Sequence, residues 1–209
     1  MTKFFLFFLI LLLSISVSSQ NIRGGPIVGF NMSQVDGDRV YGFHKFGLHT
    51  GATAIIPLPA NFSVHLEILY NQKGSYQKPR SADSLNGSLK LILNYLDAPL
   101  YLNYFDQKGK LNFGLGLSWG RLVEFSEMQD GYKQNYPVNP YRNDDIDIFL
   151  NFYTSIYKGL KFCWRYSYST RKVRTKYFSD GRTMNQFHNV ITFSVMYIFR
   201  DEAQIIKNN

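Results

Sequence analysis

The chain has a single cysteine, Cys163, so no disulfide within it can staple the fold. A bridge-held secreted scaffold is thereby excluded. Long apolar runs are equally scarce, and the one uninterrupted stretch is residues 4–13. A helix crossing a bilayer needs about 20 residues, so a polytopic helical membrane protein is excluded too. Charged residues make up only 18% of the chain, and its mean hydropathy is slightly negative. What is abundant is aromatic: 18 Phe, 15 Tyr and 2 Trp, too much buriable surface for a largely disordered chain. At 209 residues with a formal charge of +8, the length suits one domain with a sizeable core.

Residues 1–19 have the three-part layout of a secretory signal peptide. Lys3 supplies the charge, residues 4–13 the apolar stretch, and residues 14–19 are small and weakly polar. Val17 and Ser19 suit the small-residue positions before cleavage, leaving Gln20 as the new N terminus. No cysteine follows the apolar stretch, which argues against a lipoprotein anchor. The expected organisation is a signal peptide at 1–19, a barrel domain at 20–200 and a short periplasmic tail at 201–209. Export removes nucleic acid as the partner of the basic charge.

Beyond the signal the apolar period is two, the mark of half-buried strands. In residues 62–71, Phe62, Val64, Leu66, Ile68 and Tyr70 share one face, with Ser63, His65, Glu67 and Asn71 opposite and Leu69 as the exception. Residues 111–119, 146–156, 160–171 and 187–199 alternate in the same way. Residues 27–34 and 46–56 read as glycine-rich strands. Residues 89–105 read as a strand that changes phase near Asn94, with Pro99 expected to mark a bulge because proline cannot donate to the ladder. The intervening loops, 35–45, 57–61, 72–88, 106–110, 126–144, 157–159 and 172–185, alternate long and short. All long loops then lie at one end of an eight-stranded up-and-down meander.

An eight-stranded barrel has an interior only just wide enough for side chains. Small and polar residues fit that lumen, whereas Phe113, Trp119, Trp164, Tyr166, Phe193 and Tyr197 suit an outer surface facing lipid. The soluble, lipocalin-like barrel would need the reverse. The fold expected is therefore an all-β, eight-stranded antiparallel up-and-down transmembrane barrel. A three-residue turn at 157–159 is the one that keeps faces matched across the last-but-one hairpin. It pairs Phe152 with Trp164, Leu150 with Tyr166, Asn151 with Arg165 and, at the rim, Asp145 with Arg171.

Three segments carry a family resemblance: Gly29-Phe30-Asn31-Met32-Ser33, residues 62–74 with Leu66-Glu67-Ile68-Leu69-Tyr70 and Lys73-Gly74, and Tyr95-Leu96-Asp97-Ala98-Pro99-Leu100. They resemble the G-x-N-x-S opening, the third strand and the Y-L-(D/E)-x-P-L fourth strand of the PorT-like outer-membrane β-barrel proteins of the Bacteroidota. The resemblance implies an outer-membrane barrel with periplasmic termini and, for most members, no assigned activity. PorT itself is implicated in type 9 secretion, a role that a resemblance to the broad family does not carry over. The chain departs from the usual pattern by running on past Phe199, because such barrels commonly finish on an aromatic. Phe193, Val195, Tyr197 and Phe199 look like the insertion signal read by the barrel-assembly machinery.

The lumen face offers His49, His65, Glu67, Asp97, Glu124, Asp147, Lys161, Arg165 and His188. Charges in a narrow barrel must be paired, so His65, Glu67, Asp97, Asp147, Lys161 and Arg165 are expected to form a polar network, with Glu67 meeting Arg165 or Lys161. No nucleophile motif accompanies them; no catalytic residue, metal ligand or cofactor is assigned. Asp36-Gly37-Asp38 and Asp144-Asp145 lack the ligand spacing of a calcium loop. Cys163 reads as an inert filler beside Tyr153. A basic run, Arg171, Lys172, Arg174 and Lys176, falls in a long loop where it would face lipopolysaccharide phosphates. The function expected is a structural or protein-interaction component of the envelope, its protein partner unidentified. The alternatives are a lipid- or peptide-modifying enzyme and a narrow solute pore.

Overall fold

The computed structural model describes residues 22–38, 40–79, 87–134, 139–177 and 181–199. The expected signal peptide and the 201–209 tail lie outside the described residues. The strands are β1 (Arg23–Asp36), β2 (Lys45–Pro57), β3 (Phe62–Gln77), β4 (Leu89–Asp106), β5 (Leu111–Gln129), β6 (Tyr132–Gln134), β7 (Asp144–Tyr157), β8 (Leu160–Ser169), β9 (Arg174–Tyr177) and β10 (Thr183–Tyr197). Eight of them form the ring β1-β2-β3-β4-β5-β7-β8-β10, every neighbour antiparallel. β10 returns to β1 from Ile27↔Met196 to Asp36↔Phe187 and closes it. Short β6 and β9 pair with β5 and β10 and extend the wall at the long-loop end.

Period two sets which side is which. Val28, Leu66, Ile68, Leu100, Leu115, Leu117, Trp119 and Leu150 all point outward and are exposed, Ile68 by 69%. Asn31, His49, His65, Glu67, Asn71, Asp97, Asn151 and Arg165 point inward and are buried. A wall that is apolar outside and polar inside is built for lipid. Rings continue across strands on that outer wall: Phe46, Phe30, Phe193 and Phe162 follow one another at centroid spacings of 6.1, 5.7 and 6.3 Å. Phe113, Phe152 and Trp164 do the same at 5.4 and 5.2 Å.

The 157–159 turn gives the expected register, with Asn151↔Arg165, Phe152↔Trp164 and Leu150↔Tyr166, and Gly159 takes a positive φ of 77°. Asp145 does not meet Arg171. It turns into the lumen to Lys73 and Ser169 while Arg171 stays exposed. The phase change expected near Asn94 in β4 is absent: Leu89, Leu91, Leu93, Tyr95, Asp97, Tyr101 and Asn103 all face inward. The irregularity lies in the partner strand. Asn94 pairs Glu124 and Tyr95 pairs Leu122, leaving Val123 as an extra residue in β5. Pro99 shifts no register and pairs with Ser118 of β5, but on the β3 side the pairing lapses between Leu66↔Leu100 and Leu69↔Asp97, where proline has no N–H to donate.

Large rings also occupy the lumen, Tyr95, Tyr101, Phe149 and Tyr153 among them. Inward glycines on β5 make the space. A Cβ at Gly116 would lie 2.3 Å from that of Tyr101, and one at Gly120 3.4 Å from the Tyr95 ring. Small residues on one strand thus accommodate rings on the next, which a count of faces by residue type misses.

Candidate functional site

The lumen is filled in layers. Towards the short-turn end, Ile27, Ile55, Leu69, Tyr153, Cys163, Met196 and Ile198 form an apolar layer. Leu69 breaks the alternation of its strand because it belongs to this layer. Towards the long-loop end, Val35, Leu91, Leu93, Tyr95, Tyr141 and Val173 form a second one, with Leu122 packed against it. Charged groups sit between them.

Arg165 of β8 crosses to Glu67 of β3, its Nη2 lying 3.0 and 2.9 Å from the two carboxylate oxygens. Its Nε donates to Asn151 Oδ1 at 3.1 Å, and the guanidinium lies 4.4 Å from the Phe149 ring centroid. Tyr101 donates its hydroxyl to Glu67 at 2.9 Å. Both carboxylate oxygens of Glu67 and the Nε and Nη2 groups of Arg165 therefore have partners, the condition under which a buried ion pair is tolerated. Nearer the long loops, Lys73 of β3 meets Asp147, Asp145 and Asp97 at 2.6, 3.3 and 3.5 Å. Ser169 contacts both Asp145 and Asp147, and Asn71 donates to Asp97 at 2.6 Å. Asn71 also accepts from Asn31, which in turn accepts from Thr192 at 2.7 Å, so the chain of bonds reaches β10. The space left among these groups is about 10 Å³, room for one water.

The sequence-predicted residues divide accordingly. Glu67 meets Arg165, and Asp97 and Asp147 meet Lys73. Lys161 instead donates to Ser155 at 3.1 Å near the short turns. His65 stacks on Tyr101 at 4.5 Å and contacts Ser63 Oγ at 3.0 Å through Nε2. Its Nδ1 has no hydrogen-bond partner among the described residues, so no carboxylate among them orients the ring as a triad would require. Glu124, expected inside, is turned outward by the β5 bulge and accepts from Asn94 at 2.9 Å; Glu127 takes the inward position above it. Lys73 and Asp145, the centre of the second cluster, were read as loop residues because β3 and β7 run further than their apolar patterns.

The basic run is also redistributed. Arg171 and Lys172 are exposed and Lys176 is half-buried, but Arg174 is buried inside the rim. Its Nη1 and Nη2 reach Glu127 at 2.8 and 3.2 Å, its Nε reaches Gln186 at 2.6 Å, and its plane lies 4.3 Å from the Tyr141 ring. Burial alone would raise the Glu127 carboxyl, but the Arg174 bonds outweigh it and hold that carboxyl below its ordinary value. Asp38, in the β1–β2 loop, behaves oppositely: burial raises its carboxyl despite the Val40 N–H at 2.7 Å. Phe193, Val195, Tyr197 and Phe199 all turn to the outer wall, and Phe199 bridges Gly24 at the closing seam.

No family model matches the chain, and no curated protein matches it either. Solved structures do. The attachment invasion locus protein Ail of Yersinia pestis aligns over 85% of this chain and 98% of its own, with a TM-score of 0.50 at 9% identity. The fold is that of an outer-membrane β-barrel. Neisserial surface protein A aligns over 85% of this barrel and 97% of its own chain, at 10% identity and a TM-score of 0.49. OprG of Pseudomonas aeruginosa covers the same 85% and 94% of itself, at 16% identity and a TM-score of 0.42.

Proposed function

We propose that this chain is a structural or protein-interaction barrel of the bacterial outer membrane, exported by a cleaved signal peptide and without catalysis of its own. The observation that supports this reading is the filled lumen. Paired charges held between two apolar layers make the barrel a rigid stake, so its capacity to interact lies at the long-loop end, the extracellular end in such barrels. The three segments around Asn31, Glu67 and Pro99 support a place among the PorT-like barrels of the Bacteroidota. Exposed Arg171 and Lys172 beside Lys176 support contact with lipopolysaccharide phosphates. Outward Phe193, Val195, Tyr197 and Phe199 support recognition by the barrel-assembly machinery.

The test is fractionation of cells producing the chain, followed by crosslinking at the extracellular rim and by deletion. Recovery in the outer membrane with a crosslinked envelope protein, or an envelope defect on deletion, supports the reading. Recovery in the soluble fraction sinks it, and so does a membrane-inserted barrel with neither partner nor phenotype. Planar bilayers are expected to give flat traces; stepwise conductance would favour the pore.

A further inference from the structure

Outside the lumen, a groove of about 600 Å³ runs between the β1–β2 loop and the long-loop end of β3. Its walls are Val40, Tyr41, His44, Phe46, Tyr76 and Lys78, together with Gln77. The volume is that of a ligand pocket, not of a packing defect. Three features give it a chemistry.

The first is its wall, which is held in place. Gln34 accepts the Gly42 N–H at 3.0 Å and donates to Asp36 at 2.7 Å, while Val40 N–H is held by Asp38 at 2.7 Å. Gly42 has a φ of +98°, and a Cβ there would lie 2.7 Å from His44 Nε2, so only glycine lets the imidazole fold over this turn. The second is charge. His44 and Lys78 line the groove, Lys90 lies directly across from Tyr76 and is exposed, and no carboxylate is among the described lining residues. The third is position. Phe46 belongs both to the groove and to the lipid-facing aromatic row through Phe30, so the groove opens sideways where that wall ends. Exposed Tyr41 and half-buried Tyr76 supply ring faces above it.

An occupant must match all three: an apolar part continuous with the membrane, a ring-stacking polar part, and negative charge. We propose that the groove seats the phosphorylated sugar headgroup of an outer-leaflet glycolipid, with phosphate at Lys78 and Lys90 and sugar between Tyr41 and Tyr76. This rests on the outer-membrane reading and adds a lipid site separate from the basic loop.

The folded full chain in detergent is mixed with bis-phosphorylated lipid A or its dephosphorylated form, and bound lipid is counted by native mass spectrometry. Retention of the phosphorylated form is expected to fall about fivefold for each of Lys78→Gln and Lys90→Gln. Tyr41→Ser is expected to weaken both forms. Lys158→Gln, in the exposed short turn at the opposite end, is expected to leave the preference for the phosphorylated form intact. Equal retention of the two lipids, or unchanged retention by the folded Lys78→Gln/Lys90→Gln chain, overturns the groove while leaving an outer-membrane barrel standing. Displacement of the lipid by millimolar inorganic phosphate overturns it in favour of a free-anion site. Failure of the chain to reach the outer membrane sinks the barrel reading instead.

Discussion

Arg165 and Glu67 reach each other across the lumen from β8 and β3, strands far apart around the ring, and close their contact at 2.9 Å. Neither carries an alternative charged partner at that distance. Removing one leaves the other stranded in a dry interior, at a cost of about 3–5 kcal/mol. Glu67→Leu or Arg165→Met alone should therefore lower the urea midpoint of the detergent-folded barrel steeply. The double variant should recover most of the loss, because the apolar pair needs no compensation. Equal losses in single and double variants would contradict this.

The rim is held by the Arg174–Glu127 pair, whose carboxyl lies below its ordinary value in the folded state. A depressed folded value means the stabilisation is present above the unfolded value of about 4.3 and is lost as pH falls through the folded one. Proteolysis of the long loops should accelerate below about pH 4, and Glu127→Gln should erase that acid step. Rates independent of pH in the unaltered chain would count against the pair as the rim's clasp.

Asp38 carries the opposite sign. Burial raises its folded value against the Ser75 hydroxyl and the Val40 N–H, so its contribution falls as pH rises through that value. Asp38→Asn should make the β1–β2 loop more resistant to protease at neutral pH and insensitive to pH. Faster cleavage of the variant at pH 7 would show that the carboxylate is needed as such.

The bulge at Val123 predicts a pattern of accessibility. In a Cys163→Ser background, Glu124→Cys should react with a water-soluble maleimide and Glu127→Cys should not. The native Cys163 thiol is itself buried and should stay unlabelled in the folded barrel. Labelling at 127 with none at 124, the pattern of an unbulged β5, would remove the bulge.

Closure of the ring depends on the bare backbone of Gly25. A Cβ there would lie 1.6 Å from the Tyr197 carbonyl oxygen, a backbone atom of the facing strand that cannot swing away. Gly25→Val should leave the chain heat-unmodified on gels, the sign of an unclosed barrel. A normally migrating folded band would show that β1 and β10 can part to admit the side chain.

The strand alternation, the position of the turns and the pairing of Asn151 with Arg165 were all legible in the residues, because period two and hairpin parity are local. Glu67 with Arg165 was legible as one of two pairings. Lys73, Asp145 and Arg174 were not. Lys73 and Asp145 lie where a strand continues past its apolar run, Arg174 opens the short β9 within the expected 172–185 loop, and each has a partner on a distant strand that only ring closure brings near. Size alone points large rings to the outer wall, whereas Tyr95 and Tyr101 face inward into space left by glycines on β5. Glu124 was misplaced because a bulge has no residue signature of its own; Val123 is an ordinary strand residue.

That extra residue also splits β5 into two reading frames. Below it even-numbered positions write the lumen, and above it odd-numbered ones do. Deleting Val123 would leave Glu124 and Glu127 facing Asn94 and Leu91 as before, whereas taking Val123 into the ladder would slip the upper end of β5 by one residue and swap inside for outside there. The rim can thus be rewritten by substitution without disturbing the section that lies in lipid, provided Val123 stays out of the ladder.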